Sequence, residues 1–193
     1  TLAGASGLGV LQLFTSWTCI AGEVLGLGLP TRAMRQVSIA YAAGQADQIE
    51  KTLRESRRRI LRLWLWLLLL AVVPTVVMLR QHTAPDWTDY RWLLLAAGVA
   101  APLFSLLRLY AESLKATGAA LAAVTLESLT SPALLLLACA GCWLAGEPMA
   151  SVTLVSAFGL SLVITPLALR ARLRQQLAKL PQPSLAAGDA AAN

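Results

Sequence analysis

The chain has 193 residues, 57% hydrophobic and only 13% charged, with a formal net charge of +6 and a mean hydropathy of +0.64. A soluble domain carries about 25% charged residues, so this composition excludes an ordinary water-soluble fold. The few charges are clumped between long uncharged windows, the patterning of an all-α integral membrane protein.

The chain opens on Thr1 and enters an apolar run at once, with no basic n-region and no cleavage site. It reads as a piece of a longer membrane protein rather than as a signal peptide. A hydrocarbon core is crossed by about 20 apolar residues, and five segments approach or exceed that length. The expected spans cover about 9–30, 60–79, 92–110, 116–144 and 149–169. They form a transmembrane bundle over residues 1–175, followed at 176–193 by a flexible tail of low complexity.

The first span carries one charge, Glu23, and ends in LGLGLPTRAMRQ, where Pro30 marks the boundary and Arg32 and Arg35 follow. The glycines of this stretch follow no strand, so they are not a dinucleotide loop; Gly22-x-x-x-Gly26 reads as close helix–helix packing. After Tyr41-Ala-Ala-Gly44, a helix end with glycine at C′, residues 46–59 form a basic amphipathic helix. Its apolar positions Ile49 and Leu53, continued by Ile60 and Leu61, recur at helical spacing between Glu50, Arg54, Arg57 and Arg58. It is expected to lie along the membrane surface.

The second span contains Pro74, the third Pro102, the fourth Pro132 and the fifth Pro166. Each proline removes a backbone bond and favours a kink, which suits a bundle that bends around a cavity. The third span also admits Arg108 near its end, four residues before Glu112, spacing at which the two can pair on one helix face. In the fourth, Glu127 sits about midway among Thr125, Ser128, Thr130 and Ser131, the most polar patch of any span. A carboxylate within lipid costs roughly 2.5–3.5 kcal/mol on insertion scales, so Glu23 and Glu127 face protein or water. They either line a polar cavity, taking up a proton or pairing with a cation, or are neutralised by hydrogen bonds within the bundle. Cys139-Ala-Gly-Cys142 has redox-motif spacing but lies in a leucine-rich helix, where small polarizable residues pack.

Loop charges orient the bundle. Taken alternately, the connections hold fourteen of the sixteen basic residues on one side of the membrane, which the positive-inside rule assigns to the cytoplasm. The first span then enters from outside and the C-terminus is cytoplasmic. Trp87, Tyr90, Trp92 and Trp143 gather at the outer interface, and Trp64 and Trp66 at the inner one. The positive charge is thereby explained by topology and anionic lipid, with no soluble basic face for nucleic acid. Enzymatic equipment is not expected either: His82 is alone in an outer loop, no His/Cys/Glu cluster suits a metal, no cofactor is implied, and the serines lack triad spacing.

Two stretches carry a family resemblance. LGLGLPTRAMRQVSIAYAAGQADQIEKTL resembles a second-span exit, and LRLYAESLKATGAALAAVTLESLTSPALLLL a fourth-to-fifth-span connection, of the polysaccharide-export branch of the MATE-like flippase superfamily, which includes O-antigen flippases. The resemblance implies spans two to six of a 12- or 14-span protein whose second bundle is missing. It implies a transporter of the bacterial inner membrane that moves lipid-linked oligosaccharide by alternating access, for polysaccharide biosynthesis. On it, Arg32, Arg35 and Arg108 at the inner mouth hold the diphosphate of the lipid carrier, since multiple cations suit a phosphate better than a sugar. A drug/cation antiporter coupled through Glu127 and a non-transporting membrane scaffold are the alternatives.

Overall fold

The computed structural model describes residues 5–80, 88–146 and 151–180, which form six helices. These are α1 (Ala5–Gly26), α2 (Leu29–Ala42), α3 (Ala46–Arg80), α4 (Thr88–Ala116), α5 (Ala120–Ala145) and α6 (Ser151–Leu177). Four stretches are long and apolar enough to cross a membrane: Leu8–Gly26, Leu95–Ala116, Ala120–Ala145 and Val152–Leu177. The second expected span, 60–79, is helical as the far part of α3, but its side chains beyond Leu69 lie outside the described residues. So do His82, Trp87, the tail beyond residue 180, and the side chains of Pro74, Tyr90 and Trp92.

The first expected span ends sooner than its apolar run. Leu27 (φ 40°) and Gly28 (φ 72°) turn left-handed and stop α1, and Pro30 falls in the first turn of α2. Proline is favoured there because its missing N–H would have no intrahelical partner. α2 closes as its sequence indicates: Gly44 sits at φ 69°, and the amides of Gly44 and Gln45 donate back to Tyr41 O and Ala40 O.

The basic amphipathic segment is a correction. It is not a separate helix on the membrane surface: nothing from Ala46 to Val73 is glycine or proline, and the chain stays helical into the rest of α3. Its apolar stripe packs on protein. Ile49, Ser56 and Ile60 are buried, and Ile49 joins Val37 and Ala40 of α2 in one cluster while Ile60 joins Ala33 and Leu109 in another.

α4 is the axle, touching every other helix. Its side chains are small where neighbours come closest: Ala97, Ala100, Ala101, Ser105 and Ala111 are all buried. α1 lies against it at Gly22, where a Cβ would stand 2.6 Å from Phe104 Cδ1 and 3.1 Å from Ala101 O. The Ser105 hydroxyl donates to the Gly22 carbonyl across this contact. Phe14 of α1 meets Phe158 of α6 edge to face, with ring centroids 5.8 Å apart. α5 is the least enclosed helix and presents Leu121, Leu136, Leu137 and Leu144 outward.

Pro102, Pro132 and Pro166 lie inside continuous helices. Because Pro102 has no N–H, the Gly98 carbonyl one turn earlier loses its helical donor. Trp64 of α3 fills the gap, donating Nε1–H to Gly98 O at 2.9 Å. Trp64 is thus half-buried against α4, whereas Trp66 is exposed. The helical hydroxyls are satisfied locally: Thr15, Thr18, Ser113 and Thr165 each donate to the carbonyl four residues back. Apolar surroundings favour such pairing, since an unpaired group in hydrocarbon costs several kcal/mol.

Two stability outcomes follow, both measurable by thermal unfolding in lipid nanodiscs. Gly22→Val forces α1 from the backbone of α4 and destabilises by about 1–3 kcal/mol, the usual cost of overpacking. Trp64→Phe leaves the Gly98 carbonyl unpaired and costs about 1–2 kcal/mol. That cost shrinks when Pro102→Ala restores the helical donor.

Candidate functional site

The helix order sets the C-terminal ends of α1, α4 and α6 beside the N-terminal ends of α3 and α5. Charged residues from three of these helices meet there. Glu23 is in the last turn of α1, Arg108 is two turns before the end of α4, and Glu127 is two turns into α5. α5 starts at Ala120 rather than at 116, so Glu127 lies about 10 Å from the helix start by the rise per residue. It therefore lies within the first third of α5 rather than midway along it.

Arg108 joins the two carboxylates. Its Nε donates to Glu23 Oε1 at 3.1 Å and its Nη1 to Glu127 Oε1 at 3.2 Å, while Nη2 also lies 3.1 Å from Glu23 Oε1. The guanidinium fork thus ties α1 to α5 across α4, using donors that Lys could not present in the same plane. The second oxygen of Glu127 faces Lys115 Nζ at 3.4 Å, so this carboxylate has a cation on each side. Lys115 in turn donates to Glu112 Oε1 at 2.8 Å. The chain of contacts runs Glu23, Arg108, Glu127, Lys115, Glu112: three carboxylates and two cations, formally one negative charge in excess.

The expected i,i+4 pair of Arg108 with Glu112 is not the one that forms. Such a pair is worth only a few tenths of a kcal/mol on a helix surface, and Arg108 is turned toward the carboxylates of α1 and α5. Glu112 takes Lys115, three residues on. Lys115 is a member of the network that nothing in the apolar patterning singles out, although its i,i+3 spacing from Glu112 is visible in the sequence. The hydroxyls around Glu127 do not extend the network, since Thr125 and Thr130 donate to Leu121 O and Leu126 O of their own helix.

Arg32 and Arg35 stand apart from this network. Arg32 lines a small groove between α2 and α3 with Gln36, Thr52, Glu55 and Arg59. Arg35 is exposed on α2. The three arginines expected at one diphosphate are therefore split between a paired Arg108 and two residues on α2. Among the described residues no group of His, Cys, Asp or Glu could hold a metal ion. Cys139 and Cys142 lie half-buried within α5.

Compared with known families, curated proteins and solved structures, the chain matches none.

The two arms of Arg108 differ in enclosure: the Glu23 side chain is 57% exposed and that of Glu127 is 22% exposed. Exposed pairs contribute about 0.2–1 kcal/mol, and enclosure raises this. Double-mutant cycles with Arg108→Ala therefore give a coupling above about 1 kcal/mol for Glu127→Gln and a smaller one for Glu23→Gln. Thermal unfolding of the four variants of each cycle measures it; equal couplings contradict the unequal enclosure.

Proposed function

We propose that the chain is one helical bundle of a membrane transporter, and that its cargo is a lipid-linked oligosaccharide moved across the bacterial inner membrane by alternating access. The observation that carries this reading is Arg108, which holds carboxylates from two other helices within an apolar span. Apolar side chains of similar volume stabilise a bundle as well as an ion pair does or better. Ionisable residues placed at membrane depth usually belong to a pathway for substrate or proton. A bridge of this kind also has two ways to open. A proton on Glu127 removes one partner of Arg108, and a phosphate oxygen competes for the same guanidinium fork.

The resemblance to the polysaccharide-export flippases supports the choice of cargo, and with it a second bundle facing the apolar surface of α5. The charge asymmetry of the loops supports a cytoplasmic C-terminus, with the Arg108 network near the inner mouth. In that position Arg108 meets the diphosphate of the carrier before export, while Arg32 and Arg35 on α2 add positive charge at a separate place that draws the anionic carrier in.

Arg108→Ala and the pair Arg32→Ala with Arg35→Ala, introduced at the chromosomal gene, lower surface glycan at least tenfold while the protein remains in the membrane. Surface polysaccharide measured per cell, against membrane protein abundance, decides it. Normal glycan with lost efflux of cationic dyes in Glu127→Gln identifies a drug/cation antiporter instead. Unaffected export and efflux leave the scaffold reading.

A further inference from the structure

A second charged site lies on the other side of α4 and is independent of the transport reading. α3, α4 and α6 enclose a cleft of about 100 Å³, lined by Glu50, Arg54, Arg57, Arg170 and Arg174, with Tyr110 and the leucines Leu53, Leu173 and Leu177 beneath them. Four guanidinium groups and one carboxylate face it, so the formal charge is +3. Their convergence comes from helical spacing. Arg54 and Arg57 are three apart on α3, and Arg170 and Arg174 are four apart on α6, so each pair projects from one helix face.

Among the described residues, no carboxylate comes within ion-pair distance of any of these four arginines. The contrast with Arg108 is direct: there every cation has a paired carboxylate, and here four cations line one cleft with the single carboxylate of Glu50 and no ion pair. A concave surface of this net charge draws anions. Arginine forks match phosphate oxygens two at a time. The floor is apolar and well packed, Leu173 at 1% and Leu177 at 9% exposure. The free volume is well below the roughly 300–1,000 Å³ of sites that engulf a whole small molecule, so it admits an anionic head and leaves the remainder of the ligand outside.

We infer that this cleft is a phosphate site: Arg54 and Arg57 of α3 and Arg170 and Arg174 of α6 together bind the phosphate of an anionic ligand. The phosphate belongs either to a membrane phospholipid whose chains continue along the leucine floor, or to a soluble phosphate compound. Basic pockets between membrane helices are a known setting for acidic headgroups. Occupation gives guanidinium groups of α3 and α6 a shared partner and ties the end of α6 to the bundle.

The test compares thermal unfolding and binding of the whole chain in phosphatidylcholine nanodiscs with and without phosphatidylglycerol, and in phosphatidylcholine nanodiscs with inorganic pyrophosphate. Three variants accompany it. Arg54→Gln with Arg170→Gln removes one fork from each helix. Arg54→Lys with Arg170→Lys keeps charge and loses the forks. Arg58→Gln with Arg172→Gln removes the same charge from the same helices at exposed positions outside the cleft.

The expected result is stabilisation by at least one of the two anions. Affinity falls at least tenfold in the Gln cleft variant and less in the Lys variant, and is unchanged in the Arg58/Arg172 control. A response to phosphatidylglycerol alone assigns the phosphate to a lipid headgroup, and a response to pyrophosphate alone to a soluble compound. No stabilisation by either anion overturns the proposal. So does an equal loss in the cleft and control variants, which reduces the effect to general surface charge. Loss of glycan export is not a readout here, so failure of the transport reading leaves this outcome interpretable.

Discussion

The approach of α1 to α4 at Gly22 is the contact on which the charged end of the bundle depends. A glycine there, with Ala101 opposite and the Ser105 hydroxyl donating across the gap, lets two helical backbones come closer than any side chain would allow. In an apolar environment association rests on such packing, because hydrocarbon gives no hydrophobic drive between helices. The neighbouring residue is Glu23. With α1 held this close, its carboxylate falls within reach of Arg108, and Arg108 in turn reaches α5. A wider separation would leave Arg108 with a carboxylate on one side only.

The same economy governs the backbone polar groups. Pro102 creates an unpaired carbonyl at Gly98, and the indole of Trp64 pairs it from a different helix. A local defect in α4 thus becomes a tie to α3. Among the described residues no buried side-chain polar atom lacks a partner, the condition a helical bundle must meet where water is excluded.

Much of this architecture was legible from periodicity and punctuation. The helical class, the close packing at Gly22 and the end of α2 at Gly44 follow from 3.6-residue spacing and from residues that tolerate positive φ. Boundaries set by apolarity alone were less secure. The run through Leu29 is apolar to Pro30, yet the chain turns at Leu27 and Gly28, because a left-handed pair ends a helix whatever the hydropathy around it. The stripe of Ile49, Leu53 and Ile60 announced an apolar surface correctly and its partner incorrectly, since periodicity says which face is buried and not what buries it. The site shows the same division. Glu23, Arg108 and Glu127 stood out as charges in apolar segments, but their pairing spans 85 and 19 positions. Local spacing offered only Glu112. The cleft arginines were visible as scattered loop charges; only the folded order of helices sets α3 beside α6.

The donation of the helical hydroxyls to their own backbone has a consequence for what the helices offer one another. Thr15, Thr18, Thr125, Thr130 and Thr165 each give their proton to their own helix, so what they turn to their surroundings is methyl groups and acceptor lone pairs. At these positions the side chains offer neighbouring groups no hydroxyl donor. Donors aimed beyond their own helix come instead from the Ser105 hydroxyl, the Trp64 indole, and the guanidinium and ammonium groups of Arg108 and Lys115.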